Sequence, residues 1–562
     1  MKEKRINKIS KGGASKKVIN GRTYYYYQWY ENGVKRTKLI SKNEYDDILE
    51  NGSDNYLRFL HASGYIGVQL VKGDDLLQTI YHVKDYQKRD CFSAVNEYVN
   101  SEPNGKLLAL YGLRRTGKTT LMFQSIIANL DKIKQTAYIT LDDRASIESI
   151  NLLLNNLLKE NIKYVYIDEI TMCKDFIDYS QFISDVYAMR MKIVICGTDS
   201  LGIYIASKEA LLDRVNLIHT TYISFKEYQM ILGINDIDKY IEYGGTLSSE
   251  GNNYHQGIYP MFYDERSGLN YIDNAICRNI QKSLENYRDG YNLTRLVSLK
   301  DKNQLTNVIN RIIQDNNHRF LKEVINKSFK SQDYGSLKEL LRKNEDEQIR
   351  TALDLFDEEL IYRELMNKLD ITDDLNIEEE DLDELYEYLR MLDVIDQIDI
   401  TDVESGKTYK KVVFTQPGLR YSQAKALLET IIESSSLTSI PLKTLDVIKE
   451  KLLSDVKGRI LEEIVLYETS RNSKDVVFKP IFRVGEFDMG IYNKESNSIH
   501  IFEVKHSQEA YDSQTKNFFD IEKIEAIKKR YGDISSMTVL YKGESMFIDN
   551  IEYRNVEEYL TD

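Results

Sequence analysis

Apolar and polar positions alternate between strand-like and helix-like patterns from about residue 90 to residue 222. Helical stretches separate short apolar runs at residues 107–111, 136–141, 163–167 and 192–196. Regular alternation of this kind predicts a parallel sheet covered by helices on both faces. Ligands of such sheets bind at the carboxyl ends of the strands, so the polar residues that follow these runs are the first candidates for chemistry. We assign residues 85–224 to this α/β core.

Two β-prone runs near the N-terminus, residues 22–30 and 35–40, flank an Asn-Gly pair. This pattern predicts a β-hairpin, and we assign residues 1–50 to a small basic β module. Residues 1–18 are basic, contain Gly and Ser, and are expected to be disordered. An aromatic sheet edged with basic residues can lie against a nucleic-acid backbone, and the segment loosely resembles the three-stranded arm-binding modules of integrases. The alternative is a solvated hairpin that packs its tyrosines on a neighbouring domain.

The remainder of the chain divides by pattern into three further units. Residues 225–350 are helical and polar apart from a Gly-rich break, and are predicted to form a lid or linker. Residues 351–440 show the order helix, helix, helix and β-hairpin, which outlines a winged helix. Because the helix that would enter a DNA groove is acidic, we expect it to pack between domains rather than to read the major groove. Residues 441–562 are predicted to form a separate α/β domain.

Length and composition limit the classes of protein to consider. A chain of 562 residues is too long for one hydrophobic core, and its net charge of −14 is not that of a protein coated in nucleic acid. The sequence has no run of about eighteen apolar residues and no signal peptide, so a cytoplasmic location without membrane contact is expected. The four cysteines are scattered without Cys-x-x-Cys spacing, which argues against a disulfide framework or a zinc site.

Residues 112–119 fit the pattern G-x-x-x-x-G-K-[ST] at every position and lie between a predicted strand and a predicted helix. Glycines let the backbone curl so that its N–H groups point at phosphate oxygens, and the helix N-terminus adds positive potential. Lys118 is predicted to reach the β and γ phosphates, and the Thr119 hydroxyl to bind Mg²⁺. ATP with Mg²⁺ is therefore the expected ligand. The residues predicted to contact it are Gly112, Arg114, Arg115, Thr116, Gly117, Lys118, Thr119, Thr120 and Thr198.

An acidic pair follows the strand predicted at residues 163–167. Asp168 is predicted to hold the Mg²⁺ by way of water, and Glu169 to act as the catalytic base that orients the attacking water. Thr198 ends the next strand and can sense the γ-phosphate, with an ordinary strand-end turn as the alternative. Arg214 is the candidate catalytic cation for the γ-phosphate, in cis or from a neighbouring subunit.

A separate group of charged residues lies near the C-terminus. In a predicted hairpin, the two-residue period of a strand puts Glu503 and Lys505 on one face, and Asp488 on the paired strand can reach that face. Two carboxylates can bind Mg²⁺ while an ammonium lies near a scissile phosphate. Asp488, Glu503 and Lys505 are thus the predicted catalytic residues, and Glu462, Asp488 and Glu503 the predicted metal ligands. The alternative is a surface hairpin with an ion pair between Glu503 and Lys505.

Four motifs together resemble a prokaryotic family of AAA+/STAND-type P-loop ATPases: residues 112–121, 167–169, 196–200 and 224–228. Members of this family follow the ATPase with a winged helix and a restriction-endonuclease-like domain of the PD-(D/E)xK type. The resemblance spans residues 85–545 and implies a multidomain α/β fold with this domain order. In the family a Gly-Arg pair precedes the Phe-x-Glu-[Phe/Tyr] segment, whereas this chain has Asp213 and Arg214 there.

Two functions of different classes fit these motifs. The first is a Mg²⁺-dependent nuclease that acts on DNA and is regulated by ATP binding or hydrolysis. The second is an ATP-driven switch or assembly scaffold whose C-terminal domain only binds a partner. A motor that moves along DNA ranks last, because no helicase-like signature accompanies the P-loop. DNA and a second copy of the chain are the expected partners.

Overall fold

The computed structural model describes the chain in segments. The described residues are 9–19, 22–31, 34–40, 67–173, 176–208, 211–220, 222–247, 249–253, 257–260, 265–280, 302–330, 358–369, 379–433 and 441–562, with positions 42, 45 and 49. No helix in these segments combines the length and the apolar character needed to cross a lipid bilayer.

The N-terminal unit is a three-stranded antiparallel sheet in the order β1 (Ile9–Ile19), β2 (Arg22–Glu31), β3 (Val34–Ile40). The pairing of β2 with β3 agrees with the predicted hairpin, although the Asn-Gly turn itself lies outside the described residues. The expectation that residues 1–18 are disordered is wrong from Ile9 onward, because β1 pairs with the aromatic strand β2. Tyr27 on that central strand is fully buried, so one face of the sheet is covered there.

A six-stranded mixed sheet forms the predicted α/β core. Its strands are β4 (Val68–Lys72), β5 (Leu107–Tyr111), β6 (Thr136–Leu141), β7 (Tyr164–Asp168), β8 (Lys192–Cys196) and β9 (Val215–His219). They lie in the order β4-β6-β7-β8-β5-β9, with β4 antiparallel to β6 and the other pairs parallel. The predicted α/β alternation is confirmed. The sheet nevertheless starts upstream of residue 85, because a short edge strand such as β4 leaves little periodic signal.

Helices cover both faces of this sheet. They are α1 (Gly73–Ile80), α2 (Phe92–Asn100), α3 (Lys118–Ile127), α4 (Ile147–Lys159), α5 (Phe176–Tyr187) and α6 (Ser200–Lys208). Leu108 and Leu110 of β5 belong to one buried cluster, while Leu107, Ala109 and Tyr111 belong to another. Alternate residues of this strand therefore face opposite layers, as a strand buried on both sides requires.

In the sequence, helices and one short β-hairpin separate the strands of this sheet from those of the second sheet. They are α7 (Phe225–Leu232), α8 (Ile237–Tyr243), β10 (Ser249–Asn253), β11 (Gly257–Pro260), α9 (Glu265–Tyr271), α10 (Lys302–Lys330), α11 (Glu358–Leu369) and α12 (Glu379–Met391). The chain continues from α9 as a π-helix over Ile272–Cys277. The described part of residues 225–350 is thus mainly helical, and its hairpin falls at the Gly-rich break.

The second sheet contains the C-terminal strands and also the predicted wing. Its strands are β12 (Ile395–Asp402), β13 (Thr408–Phe414), β14 (Val476–Ile481), β15 (Met489–Asn493), β16 (Ser498–Val504), β17 (Asp533–Tyr541), β18 (Met546–Ile548) and β19 (Ile551–Asn555). They lie in the order β13-β12-β14-β15-β16-β17-β19-β18. Strand β12 pairs in parallel with β14, with Ile400 beside Lys479. The predicted boundary at residue 440 therefore falls inside one sheet, since a local pattern does not show which strands pair.

Four helices accompany the second sheet: α13 (Pro417–Glu433), α14 (Leu442–Asn472), α15 (Ile521–Tyr531) and α16 (Val556–Thr561). Every residue of α14 from 460 to 468 is buried, so this part of the helix is enclosed on all sides. The carboxylates of Glu462, Glu463 and Glu468 therefore lie in the interior, where charged groups need partners.

Candidate functional site

The predicted phosphate-binding loop joins β5 to α3. Its backbone is left-handed at Arg115, with φ of 66°, and at Gly117, with φ of 84°. The Lys118 ammonium donates to the carbonyl oxygens of Gly112 and Leu113, both at 2.7 Å. Burial lowers the pKa of Lys118. The loop therefore curls around its own lysine at the carboxyl end of a central strand, which is the shape of a phosphate cradle.

Asp168 is buried at the end of β7. Its Oδ2 accepts hydrogen bonds from Thr119 Oγ1 and from the Tyr138 hydroxyl, each at 2.8 Å. Its Oδ1 accepts from Cys196 Sγ at 2.7 Å. The structure thus brings Thr119 and Asp168 into direct contact. A hydroxyl and a carboxylate at this spacing fit Mg²⁺, which prefers oxygen ligands.

Glu169 follows with a left-handed backbone, at φ of 58°. Its Oε2 accepts hydrogen bonds from the Thr198 hydroxyl at 2.5 Å and from the Thr198 amide at 3.1 Å. Asn279 donates to the Thr198 carbonyl oxygen at 2.7 Å. Thr198 therefore holds the predicted base, and the helical segment after α9 holds Thr198.

A cavity of about 920 Å³ opens between this loop, the ends of β7 and β8, and α9. The predicted residues that line it are Arg114, Arg115, Gly117, Lys118, Thr119, Thr120, Asp168, Glu169 and Thr198. Sequence reasoning missed the opposite wall, where α9 presents Arg266, Asn270 and Tyr271. These residues belong to no recognisable motif, and only the fold brings them to the cavity.

Two residues predicted to contact the nucleotide lie behind the cavity wall. Thr116 is fully buried, and its hydroxyl is 2.9 Å from the Leu113 carbonyl oxygen and 2.9 Å from the Thr220 hydroxyl. The Gly112 amide donates to Ser200 Oγ at 2.9 Å. Thr116 and Gly112 thus fix the shape of the loop from behind.

Arg214 lies at the wrong end of the sheet. Its carbonyl oxygen accepts from the Leu107 amide at 2.8 Å, at the N-terminal end of β5, whereas the phosphate-binding loop leaves the C-terminal end. A strand of this length separates the two ends by roughly 13 Å. The Arg214 guanidinium donates to Asp185 Oδ1 at 2.8 Å on the surface. Within one chain, the prediction that Arg214 reaches the γ-phosphate is therefore wrong, and Arg266 lines the cavity instead.

A buried arginine ties the loop to the segment that follows β9. Arg89 donates to the carbonyl oxygens of Thr116 at 2.8 Å and Tyr222 at 2.7 Å. It also pairs with Glu227 Oε2 at 2.7 Å, and both side chains are only 6% exposed. Sequence reasoning placed Glu227 in a family motif and missed Arg89. A buried pair of this kind is strongly destabilising when one partner is removed.

The predicted C-terminal residues converge on one cluster. Lys505 Nζ lies 3.0 Å from Asp488 Oδ2 and 2.5 Å from Glu503 Oε2. The Val504 amide donates to Asp488 Oδ2 at 2.8 Å, and Asn517 donates to Glu503 Oε1 at 2.9 Å. Asp488 and Glu503 are 3% and 2% exposed. The ion pair between Glu503 and Lys505 is therefore present, as the alternative predicted, but its carboxylate is buried rather than at the surface.

Glu462 reaches this cluster from α14, together with two lysines that sequence reasoning missed. Lys479 Nζ, on β14, lies 3.3 Å from Glu462 Oε2 and 2.8 Å from Glu486 Oε1. Lys327 Nζ, on α10, lies 3.1 Å from Glu462 Oε1. Glu462 therefore has a cation on each of its oxygens, the exposed Lys327 on Oε1 and the buried Lys479 on Oε2.

Among the described residues, one group of carboxylates is spaced for a shared metal ion. Oxygens of Glu462, Glu486 and Asp488 all lie within 4.8 Å of one another. Three carboxylates suit a hard divalent cation such as Mg²⁺. Glu486 was not predicted as a ligand. Glu503 was predicted, but it lies outside this group, with its oxygens on the lysine and asparagine described above.

The carboxylates of the cluster differ in charge state. Burial raises the pKa of Glu503 to about 7, against the opposing effect of Lys505. Burial also acts to raise the pKa of Glu462, but Lys327 and Lys479 outweigh it and hold that pKa well below its usual range. Burial therefore favours the protonated form of Glu503, whereas the cations around Glu462 favour its ionised form.

An open cavity of about 1160 Å³ leads to the cluster, with α10 and α14 as walls. Its basic lining residues are Lys327, Lys411, Lys451, Arg459, Lys479 and Lys505. Acidic side chains, among them Glu323 and Asp455, lie between them. Positive charge beside an acidic cluster is suited to a phosphodiester chain, which needs cations along its backbone.

Comparison with known proteins identifies one part of the chain. Residues 104–229 match the family model of the AAA domain. No curated protein shows significant similarity to the chain. Similar solved structures include the Walker-type ATPase PABY2304 of Pyrococcus abyssi, at 13% identity over 60% of this chain and 95% of that one, with a TM-score of 0.28. The Aeropyrum pernix ORC1 protein in complex with DNA is 11% identical over 65% of this chain and 97% of that one, with a TM-score of 0.23.

The family match covers the loop and strand ends on one side of the first cavity, whereas the α9 wall lies outside the matched residues. The match includes the phosphate-binding loop, the strand that ends at Asp168, and Thr198. The TM-scores of the solved structures are too low to establish a shared overall fold. Residues 104–229 therefore form a P-loop ATPase domain of the AAA type.

Proposed function

We propose that this protein binds and hydrolyses ATP to control a Mg²⁺-dependent nuclease site that acts on DNA. The observation that carries the proposal is the convergence of Asp488, Glu503, Lys505 and Glu462 on one internal cluster in a chain with an AAA-type ATPase domain. An Asp on one strand, Glu-x-Lys on the next and a Glu on the preceding helix form the pattern of PD-(D/E)xK nucleases, which the sequence resembles.

At the ATPase site, the loop amides and Lys118 hold the phosphates. Thr119 and Asp168 are the residues that bind Mg²⁺, which neutralises charge on the phosphates when it is bound. Glu169 orients the attacking water and accepts its proton, and Thr198 fixes the direction of the Glu169 carboxylate. Arg266 of α9 lines the cavity in which negative charge develops on the transferring phosphate. A cation at that position lowers the barrier to ATP hydrolysis.

At the nuclease-like site, Glu462, Glu486 and Asp488 are the residues that bind Mg²⁺, which polarises the scissile phosphate when it is bound. Lys505 neutralises charge on the phosphate oxygens. Glu503 and Asp488 hold the Lys505 ammonium at its position. Because both carboxylates are buried, their attraction for the ammonium is stronger than it would be in water.

Two further features support DNA as the partner. The open cavity beside the cluster has basic residues on several elements, and the N-terminal sheet carries lysines beside aromatic residues on paired strands, such as Lys16 beside Tyr25. Contacts of this type bind a nucleic-acid backbone without reading its sequence. The winged-helix-like segment, with its hairpin built into the second sheet, has a packing role in this proposal.

Buried contacts connect the two sites. Glu468 accepts hydrogen bonds from the Phe225 amide at 2.9 Å and from the Tyr240 hydroxyl at 3.2 Å. It lies on the same helix as Glu462. Phe225 follows directly on the segment that Arg89 ties to the phosphate-binding loop. Helix α14 therefore carries Glu462 of the nuclease-like site and is connected to the phosphate-binding loop through Phe225 and Arg89.

The proposal is tested by incubating labelled single-stranded and duplex DNA with the protein, Mg²⁺ and ATP. We expect cleavage by the wild type and a loss of about 10²-fold or more in Lys505→Ala, because a cation at the reacting phosphate is removed. Lys494→Ala is the matched control, since Lys494 is an exposed lysine at the far turn of the same hairpin. No cleavage by the wild type, or equal cleavage by Lys505→Ala, contradicts the nuclease assignment.

The cations inside the cluster favour a second candidate function. Lys479 and Lys505 already neutralise Asp488 and its neighbours, as in a structural network. If the cluster is only structural, the chain is an ATP-driven switch or scaffold whose C-terminal domain binds a partner without cutting DNA. This alternative requires nucleotide-dependent oligomerisation that Asp488→Ala leaves unchanged, as measured by light scattering.

A further inference from the structure

Helix α10 extends from the helical wall of the ATPase cavity to the nuclease-like cluster. Its N-terminal half contributes Ile309 and Ile312 to a buried cluster that also contains Leu113 of the phosphate-binding loop and Tyr271 of the cavity wall. The helix also packs against the π-helix Ile272–Cys277, which contains the cavity residues Asn274 and Ala275, so it reaches the nucleotide site through that wall. A displacement of the cavity wall is transmitted to this end of the helix, because packed interiors have low compressibility.

The C-terminal half of α10 belongs to the other site. Leu321 and Val324 lie in the buried cluster that includes Ile460 and Leu461 of α14. Beyond them, Lys327 Nζ contacts Glu462 Oε1 at 3.1 Å. From Ile312 to Lys327 the axis of the helix advances roughly 22 Å. One continuous helix thus joins a packed contact at the first site to a charged contact at the second.

The Lys327 ammonium and a divalent cation require the same carboxylate. Lys327 lies on one Glu462 oxygen, and Glu462 is one of the three residues spaced to share a metal ion. A cation on that oxygen lowers the attraction of the group for Mg²⁺ by like-charge repulsion. The Lys327 side chain is 62% exposed, so it has room to leave.

We propose that Lys327 is a positioning residue through which α10 makes metal binding at Glu462 depend on the nucleotide at the ATPase site. In one position of α10 the ammonium occupies Oε1 of Glu462, and in the other it is withdrawn and that oxygen is available to the ion, while Arg459 and Lys479 stay on Oε2. This regulation rests on the proposed function, since it requires a metal site at the nuclease-like cluster.

Lys479 provides a matched comparison. It is the other lysine on Glu462, at 3.3 Å, but it is carried by β14 inside the second sheet and is only 5% exposed. It therefore moves with the carboxylates and not with α10. Removing either lysine strengthens the attraction for a divalent cation, whereas only removal of Lys327 abolishes the dependence on nucleotide.

The test measures Mn²⁺ binding to the full chain by electron paramagnetic resonance, with ADP or with a slowly hydrolysed ATP analogue. Asp488→Ala defines the Mn²⁺ bound at the nuclease-like site, because the ATPase site is intact in that variant. We expect the dissociation constant at this site to differ about fivefold or more between the two nucleotides in the wild type. Lys327→Met, which keeps the apolar stem, is expected to bind Mn²⁺ more tightly and equally with both nucleotides.

Lys479→Ala is expected to bind Mn²⁺ more tightly and to retain the nucleotide effect. A nucleotide effect that persists in Lys327→Met, or that is absent from the wild type, overturns the coupling while leaving the nuclease-like site in place. If Asp488→Ala removes no bound Mn²⁺, the metal site of the proposed function fails, and the coupling fails with it.

Discussion

The Thr198 hydroxyl and backbone amide both donate to Oε2 of Glu169, at 2.5 and 3.1 Å. Asn279 in turn donates to the Thr198 carbonyl oxygen at 2.7 Å. The direction of the Glu169 carboxylate is thus fixed by the end of the neighbouring strand, and that strand end is fixed by a helical segment outside the sheet. Thr198 therefore links this segment to the Glu169 carboxylate.

Thr198→Ala removes the hydroxyl that donates to Glu169 and keeps the amide. Because a positioned general base contributes about 10²- to 10⁴-fold to a rate, we expect kcat for ATP hydrolysis to fall about tenfold or more, with KM little changed. Steady-state phosphate release measures both. Thr198→Ser retains the hydroxyl and is expected to behave like the wild type. A raised KM with unchanged kcat contradicts this role and indicates direct contact with the γ-phosphate.

The arginine that lines the ATPase cavity and the arginine predicted from sequence give a second test. Arg266→Ala is expected to lower kcat/KM for ATP about tenfold or more, because a cation facing the phosphates is lost. Arg214→Ala is expected to match the wild type at low protein concentration. A defect of Arg214→Ala that grows with protein concentration indicates that the residue acts on a neighbouring subunit. Wild-type kinetics in Arg266→Ala rule out its assignment.

Removal of the buried Arg89 is expected to destabilise the ATPase domain. Arg89→Ala leaves the buried Glu227 side chain without its arginine partner, and the cost of breaking such a pair is about 3–5 kcal/mol. The measurement is the Tm of the ATPase domain, which is identified as the thermal transition whose midpoint changes when nucleotide is added. Arg144→Ala is the control, since Arg144 pairs with Asp142 at the surface and an exposed pair contributes about 1 kcal/mol or less. Equal effects of the two substitutions contradict the role of Arg89.

The pH dependence of stability is expected to contain a contribution from Glu468. Burial raises its pKa from 4.5 to about 7. Between these values the folded chain binds a proton that the unfolded chain has released, so this residue makes stability fall as pH rises. Glu468→Gln removes the titration and keeps an acceptor for the Phe225 amide. Its gain in the free energy of unfolding over the wild type, measured by chemical denaturation, is expected to grow from about pH 5 to about pH 8, up to about 3 kcal/mol. A gain that does not vary with pH contradicts the shift.

The sequence predicts the residues of the ATPase site that lie in local motifs. Lys118, Thr119, Asp168 and Glu169 occupy continuous stretches next to strands, and the order of strands and helices is visible as periodicity. Arg266 could not be predicted in this way, because it belongs to a polar helix whose contact with the site depends on how the chain returns to the sheet. Local patterns therefore specify the loop and strand ends that line the cavity, but not the α9 residues on its opposite side.

The C-terminal charged cluster also has one part that local sequence patterns predict and one part that they do not. Asp488, Glu503 and Lys505 share one hairpin, whose two-residue period places them together. Lys327 and Lys479 come from other elements, and no spacing relates them to the hairpin. The predicted boundary at residue 440 separates the wing strands β12 and β13 from β14 for a related reason. The alternating pattern of a strand is the same whether or not the strand pairs with one beyond the boundary.

The parallel pair β12–β14 determines where the polypeptide can be divided. Strand β14 has β12 on one edge and β15 on the other. A fragment that starts at residue 441 lacks β12 and leaves the main chain of β14 unpaired where Lys479 faced Ile400. Unpaired strand edges recruit strands of other molecules and lead to aggregation. Recombination between genes is therefore expected to transfer this portion intact only when the break lies upstream of Ile395, and recombinant production of the C-terminal portion has the same limit.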